Sequence, residues 1–149
     1  MQLDEKDDEV VGMIVVHDPV KETIMVVSEE GYGKRTDVED YRKTRRGAKG
    51  VKTLNVTDKT GRLVAIKVVT DDNDLMIINK SGILIRLKVA ECRVMGRNTQ
   101  GVRLINLAKK NDTIASVCKV MSSEEEEEFA DESADDVADT TASETTEKE

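Results

Sequence analysis

Residues Ile24–Val56 read IMVVSEEGYGKRTDVEDYRKTRRGAKGVKTLNV, and residues Leu75–Leu107 read LMIINKSGILIRLKVAECRVMGRNTQGVRLINL. The two stretches align without a gap at an offset of 51 positions. Met25 falls on Met76, Gly31 on Gly82, Arg35 on Arg86 and Val38 on Val89. Arg42 then falls on Arg93, Arg46 on Arg97, Gly50 on Gly101, Val51 on Val102 and Asn55 on Asn106. Apolar character also agrees, at Ile24 and Leu75, Leu54 and Ile105, Val56 and Leu107. A period of this size means that one supersecondary unit occurs twice. A third start is expected at Ile114–Val120, where Ile114 and Val117 stand 51 residues beyond Leu63 and Ile66.

Within each unit the pattern is β. Ile24–Val27 and Leu75–Ile78 are unbroken apolar runs, as in strands buried on both faces. SEEG (Ser28–Gly31) and NKSG (Asn79–Gly82) are turn sequences whose final glycine supplies a positive φ. In the second unit the return strand alternates, with Ile83, Ile85 and Leu87 on one face and Leu84, Arg86 and Lys88 on the other. Val51–Val56 and Val102–Leu107 are expected to form a further strand, and DKTG (Asp58–Gly61) turns into Leu63–Val69. Each unit therefore holds about four short strands in roughly fifty residues, the size of a propeller blade. The fold class is all-β, a partial array of propeller-like blades. Such units bury their apolar faces only against neighbours, and at least about three are needed for stability. The chain is thus expected to be the C-terminal piece of a larger closed array.

Charge divides the chain into three parts. The 149 residues carry a formal net charge of −8. Thirteen acids against Lys148 lie between Ser122 and Glu149, and five acids against Lys6 lie between Met1 and Glu9. Val10–Met121 is left with 21 bases and 13 acids, a net of +8. The expected organisation is an acidic lead-in at 1–9, two blades at 10–121 and an acidic tail at 122–149. The tail is low in complexity and dense in like charge, so it is expected to be disordered. A basic body beside an acidic tail points to a polyanionic partner.

The cations are placed with the repeat. Between the same two strands stand YRKTRRGAKGV (Tyr41–Val51) in unit one and CRVMGRNTQGV (Cys92–Val102) in unit two. Glycines let backbone amides approach an anion, and the arginine fork matches phosphate. A second cationic pair, Lys34 and Arg35, lies on the return strand and repeats as Arg86 and Lys88. Taken alone, Lys34 and Arg35 read as an ordinary charged strand edge; their recurrence favours an interface. One cationic band per blade would form a track for the backbone of double-stranded DNA. Only Tyr32, Tyr41 and Phe129 are aromatic, so no stacking platform for single strands is expected. The candidate DNA-binding residues are Lys34, Arg35, Arg42, Lys43, Arg45, Arg46, Lys49, Lys52, Arg86, Lys88, Arg93, Arg97 and Arg103.

EEGYGKRT (Glu29–Thr36), RRGAKGV (Arg45–Val51) and GRNTQGV (Gly96–Val102) together resemble the C-terminal domain of DNA gyrase A, over about Asp8–Val120. The resemblance implies a β-pinwheel whose rim wraps duplex DNA, in a type II topoisomerase that introduces negative supercoils using ATP. The partners it implies are the remainder of gyrase A and the gyrase B protein, in an A2B2 assembly. By the same resemblance ATP and Mg belong to gyrase B, with no cofactor in this part. The wrapping motif of the family, Q-R-R-G-G-K-G, is met here by Thr44-Arg45-Arg46-Gly47-Ala48-Lys49-Gly50, with Thr for Gln and Ala for Gly, so the segment reads as a later-blade cognate. Alternatives are the similar domain in the A component of topoisomerase IV and a propeller-like protein-interaction module.

The remaining features point to no catalysis in this chain. Tyr32 and Tyr41 lack the context of a cleavage nucleophile. Cys92 and Cys118 stand in apolar settings without a CxxC or Cys/His cluster and read as buried free thiols. Asp71-Asp72-Asn73-Asp74 lacks EF-hand spacing and reads as a hairpin turn. His17 reads as a loop residue, and Met13, Met25 and Met76 as core filler. The N-terminus has no signal-peptide pattern and no apolar run reaches ~20 residues, so a cytoplasmic protein is expected.

Overall fold

A computed structural model describes residues 8–107 and 112–122. Among them are seven strands, β1 (Thr23–Ser28), β2 (Tyr32–Asp37), β3 (Leu63–Val69), β4 (Asn73–Asn79), β5 (Leu84–Lys88), β6 (Val102–Arg103) and β7 (Ile114–Met121). The only helical turns among the described residues are two single 3-10 turns, Val38–Asp40 and Val89–Glu91, themselves 51 residues apart. The acidic tail and residues 1–7 lie outside the described residues.

The strands form two antiparallel sheets, ordered β3-β1-β2-β6 and β5-β4-β7. β1 is the centre of the first sheet, and its TIMVVS side chains are buried throughout, as an unbroken apolar run requires. The β1–β2 hairpin closes through Gly31, whose φ of +76° no β-branched residue would tolerate. β4 repeats the role of β1, and Gly82 that of Gly31 with a φ of +85°. Even the irregularities repeat: β1 and β3 shift register at Val27/Ser28, and β4 and β7 at Ile78/Asn79, one period later.

Two expectations from the sequence are corrected here. Ile114–Met121 does not begin a third unit. It pairs with β4 from Asn73 to Asn79, as β3 pairs with β1, and so closes the second sheet. Nor do both Val51–Val56 and Val102–Leu107 form strands. Only Val102–Arg103 does, and it pairs with Tyr32–Gly33 of the first unit. A strand this short exists because an edge is there to receive it. The edge of β2 meets Val102–Arg103, whereas Val51–Val56 finds no such edge among the described residues. Among the described residues, the first unit's fourth strand therefore comes from the second unit.

The two faces of β1 serve different cores. Met25 and Val27 pack with Val69, Leu75, Ile77, Val89, Cys92, Ile105, Ile114 and Val117, a cluster drawn from both sheets. Ile24 and Val26 pack on the other face with Leu54, against Ile14, Val38, Tyr41, Leu63 and Ile66. Each fully buried aliphatic side chain contributes roughly 1.5–3 kcal/mol. The second cluster anchors the base of the first basic loop through Tyr41 and Leu54. Two further readings change. Met13 is 88% exposed and fills no core. Cys118 points outward from β7, while Cys92 is buried and its thiol is pushed above its ordinary value by that burial.

Candidate nucleic-acid interface

The first basic loop leaves the 3-10 turn at Tyr41, whose amide donates to Val38 O at 3.0 Å. The Tyr41 hydroxyl and Thr53 Oγ1 hydrogen-bond across its base. Between them Arg42, Lys43, Arg45, Arg46 and Lys49 are all exposed. Gly47 turns the tip with a φ of +76°, and beyond its two chain neighbours no residue lies within 4 Å of where its Cβ would stand. Lys52 is exposed as well, with its ammonium on Asn55 Oδ1 at 3.0 Å.

The second loop follows Val89–Glu91 in the same way, Cys92 N donating to Val89 O at 2.9 Å. It then docks on unit one: Met95 N donates to Arg35 O at 2.7 Å, and Asn55 N to Thr99 O at 3.4 Å. At its end Gly101 lies so close to β2 that a Cβ would stand 2.4 Å from Gly33 O. Arg97 reaches across to the first loop's descending limb, its guanidinium donating to Lys52 O at 2.8 Å. The two loops, 51 residues apart in sequence, thus abut in space at Lys52 and Arg97. Arg93 is exposed beside them in sequence. Arg103 is exposed on β6, with its guanidinium 5.3 Å from the centroid of the Tyr32 ring and donating to the Tyr32 hydroxyl at 3.0 Å.

The return-strand cations behave differently. Lys34 has no exposed surface, and Arg35 retains 5%. The Gly96–Thr99 segment covers Lys34, and Thr23, Asp71 and the Val89 carbonyl surround Arg35, so neither side chain is free to meet a phosphate. Arg35 donates through Nε to Thr23 Oγ1 at 2.6 Å and through NH1 to Asp71 Oδ1 at 2.5 Å. Arg86, on the edge strand β5, remains partly exposed but donates to Asp74 Oδ2 at 2.7 Å and to Met121 O at 2.9 Å. Thr23 and Asp74 are themselves 51 residues apart. The recurrence of arginine at 35 and 86 is therefore met by a repeated internal latch, from the return strand to the first residues of the central strand. Lys88 is exposed at the end of β5.

Lys34 places its ammonium against Gly96 O at 3.0 Å, Thr99 O at 3.1 Å and Arg97 O. Burial first, and then the positive charge of Arg97, lowers its pKa from 10.5 to about 8, with Asp40 acting in the opposite direction. Sequence reasoning did not find this arrangement. The one available signal was that position 85, the counterpart of Lys34, is Ile, so Lys34 does not follow the repeat. Lys59 was also missed; its ammonium lies 5.4 Å from the centroid of the Tyr32 ring. Among the described residues no three His, Cys, Asp or Glu side chains gather to hold a metal ion, and no helix is long and apolar enough to cross a membrane. Asp71, for its part, pairs with Arg35 from the β3–β4 turn.

A family model described as the DNA gyrase C-terminal domain, β-propeller, matches residues 1–17, 22–70 and 73–118. The gyrase A protein of Staphylococcus aureus strain NCTC 8325 / PS 47 is 46% identical over 125 residues, which is 84% of this chain and 14% of the relative. Its counterpart from strain MRSA252 is 47% identical over 120 residues, covering 80% of this chain and 13% of the relative. Among solved structures, a DNA gyrase A C-terminal domain superposes with a TM-score of 0.63 at 26% identity, over 68% of this chain and 34% of that one. The C-terminal domain of a DNA topoisomerase IV superposes with a TM-score of 0.64 at 21% identity, over 71% of this chain and 32% of that one, a likeness of fold alone. The chain thus spans about a seventh of the length of the curated relatives it matches. With its repeated antiparallel β units and paired basic loops, the chain belongs to the family of DNA gyrase C-terminal domains.

Proposed function

We propose that this chain is a duplex-binding, DNA-wrapping part of gyrase A, with two pinwheel blades at 10–121 between acidic segments at 1–9 and 122–149. The observation that carries the reading is the junction of the two repeat-related basic loops, where Arg97 reaches Lys52 O at 2.8 Å. Loops that recur once per blade and touch their neighbours give a continuous line of positive charge rather than isolated patches. Such a line neutralises successive phosphates, and the energy gained offsets the cost of bending the duplex. The contacts are assigned to Arg42, Lys43, Arg45, Arg46, Lys49, Lys52, Arg93, Arg97 and Arg103. Lys34 and Arg35 leave this set because their side chains are internal, and Arg86 and Lys88 stand on a separate strand edge. The topoisomerase IV alternative is disfavoured by the 46% identity to gyrase A proteins.

The whole enzyme would supply what this part does not: the rest of gyrase A for strand cleavage, and gyrase B with ATP and Mg, in an A2B2 assembly in the cytoplasm. The test is binding of a linear duplex by the full chain as salt is raised. If about five phosphates are neutralised per blade, log K falls with log salt at a slope near ~−4.5 per blade. Ligation of a nicked circle, or topoisomerase treatment of a closed one, in its presence reads wrapping directly, as a shift in linking number. Salt-insensitive binding, or none, would instead favour the protein-interaction module.

A further inference from the structure

Lys34 is the largest fully buried side chain of the molecule's described residues, and it is a charged one. An ammonium carries three N–H donors. Here they meet Gly96 O, Arg97 O and Thr99 O, with Thr99 Oγ1 beside them at 3.4 Å. All of these acceptors lie in one short loop, 62 to 65 residues away in the chain. Three carbonyls converging on one point repel one another unless a cation sits between them. Thr99 Oγ1 also donates to Gly96 O at 2.9 Å, which draws the same two residues together. The loop so shaped is the one that carries Arg97 to the carbonyl of Lys52.

We propose that Lys34 is a positioning residue, whose buried ammonium fixes the Gly96–Gly101 loop on unit one and thereby sets where Arg97 meets the DNA backbone, without touching DNA itself. The functional half of this rests on the DNA-binding reading above; the structural half does not. The position is specific to this seam, because Ile85 stands at the equivalent place in unit two.

The experiment compares the full chain with Lys34→Met, Arg97→Ala, the double variant and the milder Thr99→Val. Amide exchange is read first. In Lys34→Met, the amides of Met95 and Thr99 exchange roughly tenfold faster or more, while those of the β4–β7 ladder hold their protection. Duplex binding is read second. Arg97→Ala reduces the steepness of the salt dependence by ~0.9. Lys34→Met has a comparable effect, and the double variant is no weaker than Arg97→Ala alone. Additive losses would make Lys34 a phosphate contact and overturn the proposal, as would unchanged exchange at Met95 and Thr99. Should Lys34→Met not fold, Thr99→Val carries the test: faster exchange confined to the loop is expected, and unaltered exchange overturns it. If no chain binds duplex, the DNA reading fails while the exchange data still decide the clamp.

Discussion

Arginines that look alike in the sequence have opposite surroundings in the fold. Arg46 is exposed on a loop, and Arg35 is locked between Thr23 and Asp71 inside a sheet. Arg46→Ala is therefore expected to leave stability within about 0.5 kcal/mol, as for an exposed site, and to reduce the salt slope of duplex binding by ~0.9. Arg35→Met is expected to lower unfolding free energy by about 2–3 kcal/mol through loss of charge-assisted hydrogen bonds, measured by urea denaturation. Lys34 adds a pH signature. Its folded pKa of about 8 lies below the ordinary 10.5, so burying the charge carries a penalty that is full below pH 8 and is relieved as pH rises to 10.5. The stability of the parent chain minus that of Lys34→Met should thus grow between those two pH values; a constant difference would contradict the assignment. The surroundings of single residues were the least legible part of the sequence. Lys34 and Arg35 alternate with nothing, since a strand buried on both faces shows no period-2 pattern, and a recurring arginine looks the same whether it binds phosphate or a carboxylate across the sheet.

Strands and turns were far more legible, because glycine positions and unbroken apolar runs are local signals. SEEG, NKSG and DKTG each end in a positive-φ glycine where a turn was expected, and Leu63–Val69 is a strand over the range read from sequence. What failed was Val51–Val56, a segment whose state depends on a partner edge and not on its own composition. The same dependence makes Gly101 and Gly47 unequal. Both have positive φ, at +80° and +76°, so alanine costs each about 1 kcal/mol in backbone terms. Only at Gly101 would the new Cβ also strike backbone, Gly33 O at 2.4 Å. Gly101→Ala is expected to detach β6 and cost a further ~1–3 kcal/mol by overpacking, with loss of exchange protection at Val102. Gly47→Ala should leave β6 untouched. Equal effects of the two substitutions in thermal unfolding would refute the close approach.

At the scale of the whole molecule, the separation of charge was visible from the start and sets the last expectation. Twenty-eight residues from Ser122 onward carry thirteen acids. Twenty-eight residues behaving as a random coil would span roughly 30 Å, against ~13 Å for the radius of a body of about a hundred residues. Such a segment can compete for the same cationic loops that would hold phosphate. Removal of Ser122–Glu149 should raise duplex affinity at low salt and have little effect at high salt, where screening within ~10 Å hides both. Overlapping binding curves at every ionic strength would reduce the tail to a solubilising appendage.

The borrowed position of β6 has a genetic corollary. Because the first sheet is stitched from two successive repeats, no boundary between units can be drawn that leaves each one whole. Yet an in-frame gain or loss of 51 codons, the repeat offset, restores every pairing partner wherever the breakpoints fall, since residue and replacement occupy the same lattice site. Arrays woven in this manner can change length by recombination at almost any point, so long as the step is one full period.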